Sequence, residues 1–240
     1  RAKKLAPASE GAAVLLDKQV IRVHTNALST KWRQRIVRID SNVAAAQFVN
    51  IRLPYTPRVD RLQVVQAEVL RADGSKARPQ RIHDERPPGK QNGIYTLTAY
   101  KIIRLPKLLP GDIVHIQTQQ LALGDNNLFG PHFGGFYPTQ DRWPIVKAAL
   151  IIDAPNSMAL RTRRLGPGTW EDTTTLLADG SDMTRSTWTG TDVPALGYEP
   201  GMPGYSDVGG WVSVSSFQSW ADLVTWYQSF IRDQLTLSSK

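Results

Sequence analysis

Glu68-Val69-Leu70-Arg71-Ala72-Asp73-Gly74-Ser75-Lys76-Ala77-Arg78 decides the fold class. Strand-forming residues flank Asp73-Gly74, a dipeptide that tolerates the positive φ of a tight turn, so the stretch predicts a β-hairpin. Working outward, short β-branched and aliphatic runs separated by turn residues recur along most of the chain, and helical periodicity is scarce. The runs predict strands over 14–24, 31–39, 46–53, 62–71, 76–82, 95–104, 113–123, 145–152, 159–163, 169–176 and 185–190. Asp179-Gly180-Ser181 predicts a second hairpin of the same kind. Leu109-Pro110-Gly111-Asp112 predicts a turn in which proline sets φ ahead of glycine. The pattern is that of an all-β protein, a large antiparallel two-sheet β-sandwich with long loops. The loops are expected at 86–93 and at 192–210, both rich in proline and glycine.

The chain changes character at its end. Ser219-Trp220-Ala221-Asp222 has the form of a capping box, in which the Ser hydroxyl and an acidic residue three positions on satisfy free N–H groups of a first helical turn. Trp220, Leu223, Trp226, Tyr227, Phe230 and Ile231 then recur at intervals of three and four, so the helix is amphipathic with a broad apolar face. Its polar face, with Asp222, Gln228, Arg232 and Asp233, is not basic enough for a membrane-surface helix. The expected organisation is a flexible segment 1–11, a sandwich domain 12–216 and a C-terminal linking helix 217–234.

Composition excludes several classes. Over 240 residues, 41% are hydrophobic and 21% charged, which is ordinary globular usage and neither disordered nor fibrous. No apolar run approaches the ~18 residues of a membrane-spanning helix. Residues 1–9 are basic without an apolar core and do not form a signal peptide. The absence of cysteine removes disulfides, thiolate metal sites and any cysteine nucleophile. The net charge of +8 is spread among strand residues and accompanies no nucleic-acid motif; it reads as a solvated sheet face or as an anion-binding surface.

Catalytic and cofactor signals are weak. His24, His83, His115 and His132 have no metal-ligand spacing, so neither a metal nor a cofactor is expected. Val212-Ser-Val-Ser-Ser216 lacks the glycines and the strand–turn–helix setting of a nucleophile elbow. Gly130, Gly134 and Gly135 lack the Lys of a phosphate loop. The stretch around them is rich in aromatics: Phe129, Phe133, Phe136 and Tyr137, with Trp143 close behind. Exposed together, these five would form a stacking surface for sugar rings or protein; buried, they are core.

Several segments together resemble a known family. They are 13–24 with the basic strand 33–39, the stretch 62–75, Leu105-Pro-Lys-Leu-Leu-Pro-Gly-Asp-Ile-Val114, and Val212 to Tyr227, where Ser-Ser-Phe precedes a Trp-led helix ending in Trp-Tyr. In order and spacing they are similar to the domain of unknown function 3857, which precedes a transglutaminase-like domain in many bacterial proteins. The turn after the first strand, residues 24–30, departs from the family in lacking Asp-Gly. The resemblance implies a β-sandwich ahead of a papain-like catalytic core in periplasmic, exported or cell-envelope proteins. It supplies no catalytic residue for this chain. The expected function is therefore a non-catalytic accessory domain that packs beside the transglutaminase-like domain through the 220–231 helix, and orders it or supplies its substrate. The alternative is a binding module for glycan or cell-envelope polymer, using the Phe129–Trp143 aromatics and the basic sheet face.

Overall fold

The computed structural model describes residues 11–86, 97–124, 127, 129–197 and 199–232. The expected flexible residues 1–10, loop residues 87–93, strand residues 95–96 and helix residues 233–234, Asp233 among them, lie outside the described residues. The first half of the chain contains β1 (Ala12–Val23), β2 (Ser29–Ile39), α1 (Asn42–Phe48), β3 (Asn50–Tyr55), β4 (Asp60–Leu70), β5 (Lys76–Ala77), β6 (Arg81–Glu85), β7 (Ala99–Arg104) and β8 (Ile113–Ala122). The second half contains β9 (Gly134–Pro138), β10 (Ile145–Pro155), β11 (Arg161–Leu165), β12 (Thr169–Leu176), β13 (Met183–Val193), α2 (Tyr205–Val208), β14 (Trp211–Ser215) and α3 (Trp220–Ile231).

The fold is mostly β, as the alternating runs predict, but the layering differs from two antiparallel sheets. One eight-stranded sheet, in the order β12-β13-β10-β1-β2-β8-β4-β5, carries two separate three-stranded sheets, β3-β7-β6 and β11-β14-β9. Its central pair, β1 with β10, is parallel, with Val14 beside Ile145 and Ile21 beside Ile152. Parallel pairing needs a long crossover, and more than a hundred residues separate these two strands.

Three local expectations also change. Residues 46–53 do not form one strand: α1 occupies the first part, because the Ser41 hydroxyl accepts the Ala44 N–H at 3.1 Å and an alanine run follows. Residues 76–82 split into β5 and β6 around Pro79. The strands β9 and β14 arise from segments with no distinct strand signal of their own.

Both predicted hairpins form. Arg71 N–H donates to the Ser75 carbonyl at 2.8 Å, and Gly74 has φ +85°. The Asp179 carboxylate accepts the Ser181 N–H at 3.0 Å, with Gly180 at φ +77° between β12 and β13. Between β1 and β2, where the family's Asp-Gly is missing, Ala27 takes φ +60° and Leu28 N–H donates to the Asn26 side chain at 3.1 Å. An asparagine and a strained alanine thus do the work of the usual pair.

A bulge between Val14 and Leu16 keeps both ends of β1 facing the same way. One face of the large sheet is therefore apolar at both ends. Val14, Val37, Ile39, Val69 and Val114 pack with Ile103 and Leu105 under the β3-β7-β6 sheet and α1. Ile21, Val23, Leu150, Ile152 and Trp188 pack with Phe133, Tyr137, Val212 and Val214 under the β11-β14-β9 sheet. Each such buried side chain stabilises the fold by about 1.5–3 kcal/mol. Between the two cores the same face is charged: Arg33 forms a two-pronged pair with Asp17, at 2.9 and 2.6 Å, and Arg35 pairs with Asp141.

Candidate functional site

The helix α3 starts where its capping box predicts. The Ser219 hydroxyl accepts the Asp222 N–H at 3.1 Å, and the Asp222 carboxylate accepts the Gln218 N–H at 3.1 Å. A helix of 12 residues is marginal by itself, so its stability depends on what its apolar face touches. That face touches little of the sandwich. No residue of α3 is buried; Trp220 is 82% exposed, and Val224, Tyr227 and Phe230 are each about half exposed.

Among the described residues, Trp226 makes the aromatic contacts between the helix and the rest of the fold. The Trp226 ring lies 5.4 Å from Phe129, 5.9 Å from Phe217, 5.9 Å from Phe230 and 6.4 Å from Tyr227 between centroids. These are separations at which aromatic pairs attract. Phe217 in turn stacks on His132 at 4.0 Å. The platform beneath is held by Asn127, whose side chain donates to the His132 carbonyl at 2.8 Å and accepts the Phe129 N–H at 3.1 Å. Ser216 closes it against β9: its hydroxyl accepts the Phe133 N–H at 2.9 Å and its N–H donates to the Phe133 carbonyl at 2.8 Å.

Two sets of residues singled out in the sequence thus meet at a single contact, Phe129 against Trp226. Leu223 and Ile231 are partly covered, and Trp220, Tyr227 and Phe230 remain exposed. The aromatic stretch does not form one surface. Phe133 and Tyr137 are buried in the second core, which removes them from any ligand surface, because strand alternation in β9 turns Tyr137 inward. Phe136 turns outward and lies 5.4 Å from Trp211 on the far side of the small sheet. Trp143 packs at 6.5 Å from Phe48 beside the first core. Burial pushes the Tyr137 phenol well above its ordinary pKa, and its hydroxyl has no hydrogen-bond partner among the described residues. Sequence reading named His132 only among the scattered histidines and Phe217 only within the Ser-Ser-Phe of the resemblance, and passed over Val224. The 3–4 spacing could have found Val224, but no sequence signal pairs Phe217 with His132.

Chemistry-bearing clusters are sparse elsewhere. Among the described residues no group of three or more His, Asp or Glu is placed to hold a metal ion. His115 is spent on Gln34, Gln117 and Glu68, at 3.0, 3.2 and 3.4 Å. No helix among the described residues is long and apolar enough to cross a membrane. The buried Asp112 is structural: it accepts the Leu109 N–H at 2.8 Å within its own turn and pairs with Arg71 of the neighbouring strand end. The Leu-Pro-Gly-Asp segment of the family resemblance is therefore a clasp between β8 and β4.

The class defined by this geometry is a mostly β domain, an open eight-stranded sheet carrying two smaller sheets and an exposed aromatic helix. Residues 26–196 match the family described as Domain of Unknown Function with solved-structure structure (DUF3857), and the chain belongs to that family. The fold is similar to that of a "putative protease" from Parabacteroides distasonis, with a TM-score of 0.75 at 12% identity. The likeness covers 95% of this chain and 48% of that one, so this chain spans about half its length. An M1 zinc metallopeptidase from Deinococcus radiodurans aligns with a TM-score of 0.40 at 12% identity, covering 87% of this chain and 43% of its own. A two-domain M1 zinc metallopeptidase variant bound to L-tryptophan scores 0.41 at 15% identity with the same coverage. Scores at that level carry no argument about this chain. No curated protein matches the chain.

Proposed function

We propose that this is a non-catalytic accessory domain that packs, through α3, beside a transglutaminase-like domain of the same polypeptide, orders it and helps supply its substrate. The observation that carries the reading is the uncovered apolar face of α3, with Trp220, Val224, Tyr227 and Phe230 exposed around the partly covered Trp226. A patch of this kind is what a protein interface covers. The half-length likeness to the Parabacteroides distasonis protein supports it, since there the same fold forms part of a longer chain. The transglutaminase-like partner and an exported or cell-envelope setting come from the family resemblance.

Glycan binding draws less support, because the five aromatics it needs are divided: Phe133 and Tyr137 in the second core, Phe136 on the outer side of that small sheet, Trp143 beside the first core and Phe129 against α3. The test is calorimetric titration of this chain with the separately expressed transglutaminase-like part of its parent protein. Saturable binding is expected, weakening about tenfold or more when the exposed Phe230 and Tyr227 are replaced by Ser. A flat titration would discard the docking role.

A further inference from the structure

The strip between the two cores opens into a cleft of about 390 Å³, within the range of ligand sites. It lies outside the aromatic platform of α3. Its walls are of three kinds. Phe48, Ile51, Leu53, Ile116 and Trp143 supply an apolar side. Arg33, Arg35 and Arg142 supply guanidinium groups, against a single lining carboxylate, Asp141. The third wall is the strand β3 itself.

The charges do not cancel. Arg33 is matched by Asp17, and Arg35 is held by Asp141 through one Nη, leaving its buried Nε without an acceptor among the described residues. Arg142 makes no ion pair among the described residues; its guanidinium lies 5.3 Å over the Trp143 ring. The cleft therefore carries one uncompensated cation beside an arginine whose donors are only partly used, and five fixed N–H groups per guanidinium suit a carboxylate.

The strand β3 is an edge: it pairs with β7 and, among the described residues, with no second strand. Consecutive residues Asn50 to Pro54 all line the cleft, as expected of an edge rather than of a strand face, which would offer alternate residues. Arg52 lines it although its guanidinium is drawn off to Glu85 at 3.0 Å and to the Tyr100 ring at 4.7 Å. Leu105 N–H donates to the Val49 carbonyl. By the alternation of an antiparallel ladder, residues 50, 52 and 54 then turn their backbone groups away from β7. Proline at position 54, which has no N–H to leave unpaired, fits that edge.

We infer that the cleft binds the C-terminal end of a peptide, adding it as a strand along β3 with an apolar last residue against Phe48 and Trp143 and its carboxylate at Arg142 and Arg35. Main-chain pairing supplies affinity in such strand addition, and the pocket supplies selectivity.

The test uses this chain alone and so is independent of docking through α3. The probes are the tripeptide Ala-Ala-Phe as free acid, its C-terminal amide, the same peptide N-methylated at its central residue, and sodium acetate. Calorimetric titration is expected to give saturable binding of the free acid with a Kd of about 1 mM or tighter. Amidation, N-methylation and Arg142→Gln should each weaken it about tenfold, with the thermal midpoint of the variant checking that the fold is kept. Absence of saturable free-acid binding, equal binding of the amide, or indifference to Arg142→Gln would overturn the site. Indifference to N-methylation would overturn the strand addition, and acetate competing as well as the peptide would reduce the cleft to a simple anion site and overturn peptide recognition.

Discussion

Asp112 is 2% exposed, yet it is surrounded by donors: the Leu109 N–H and the Arg71 guanidinium both end on its carboxylate. Arg71 stays partly in solvent and also donates to the Lys107 carbonyl, so the loss in Asp112→Ala is that of the charge-assisted hydrogen bonds themselves. Asp112→Ala is therefore expected to lower stability by about 2 kcal/mol, read from urea unfolding; a loss near zero would show that the clasp is ornamental. The Asp17–Arg33 pair makes a different prediction. Burial alone would raise the Asp17 carboxyl, but Arg33, with Arg35 nearby, outweighs it and holds the pKa below its usual value. A depressed folded pKa gives stability that is complete above the unfolded carboxyl's value of ~3.9 and is lost as the pH falls through the lower folded one. The stability gap between the native chain and Asp17→Asn should therefore be steady near pH 7 and shrink below about pH 4. A gap unchanged down to about pH 3 would mean that the pair contributes nothing to the pH dependence.

At the scale of elements, α3 is the least supported piece of regular structure. Its cap is complete, but its aromatic attachment among the described residues is Trp226 on Phe129 and Phe217. In Trp226→Ala, amide exchange over residues 220–231 should accelerate to nearly unprotected rates while β1 and β10, at the centre of the large sheet, keep theirs. Retained protection in α3 would show that the cap and its other contacts suffice. The elements also differ in how readily the sequence discloses them. α3 and both Asp-Gly hairpins are written in local chemistry, a cap or a positive-φ pair. The helix α1 replaces an expected strand because Ser41 captures the Ala44 N–H ahead of the apolar run. β9, with two glycines and a proline in five residues, is a strand only because β14 offers it a ladder, Tyr137 beside Val212 and Gly135 beside Val214. Gly135 is needed there, since a Cβ would lie 2.3 Å from the Tyr137 hydroxyl.

Across the whole molecule, one large sheet supports two small ones on the same face, and the gap between them becomes the charged cleft. The exposed helix rests on Phe129, and none of the residues of α3 or its platform lines that cleft, so docking and peptide capture use different residues and can fail separately. What the sequence by itself determined is what depends on neighbours a few residues apart: the β class, the turns at Asp73-Gly74 and Asp179-Gly180, the capped amphipathic helix and the family resemblance. Tertiary structure alone decided the parallel β1–β10 pair, the division of the second layer into two sheets, the burial of Phe133 and Tyr137, and the meeting of Arg35, Arg142 and the β3 edge. The physical reason is that strand pairing and the faces it creates join residues far apart in the chain, where the alternation of each strand states only that it has two sides and not which partner will cover either one.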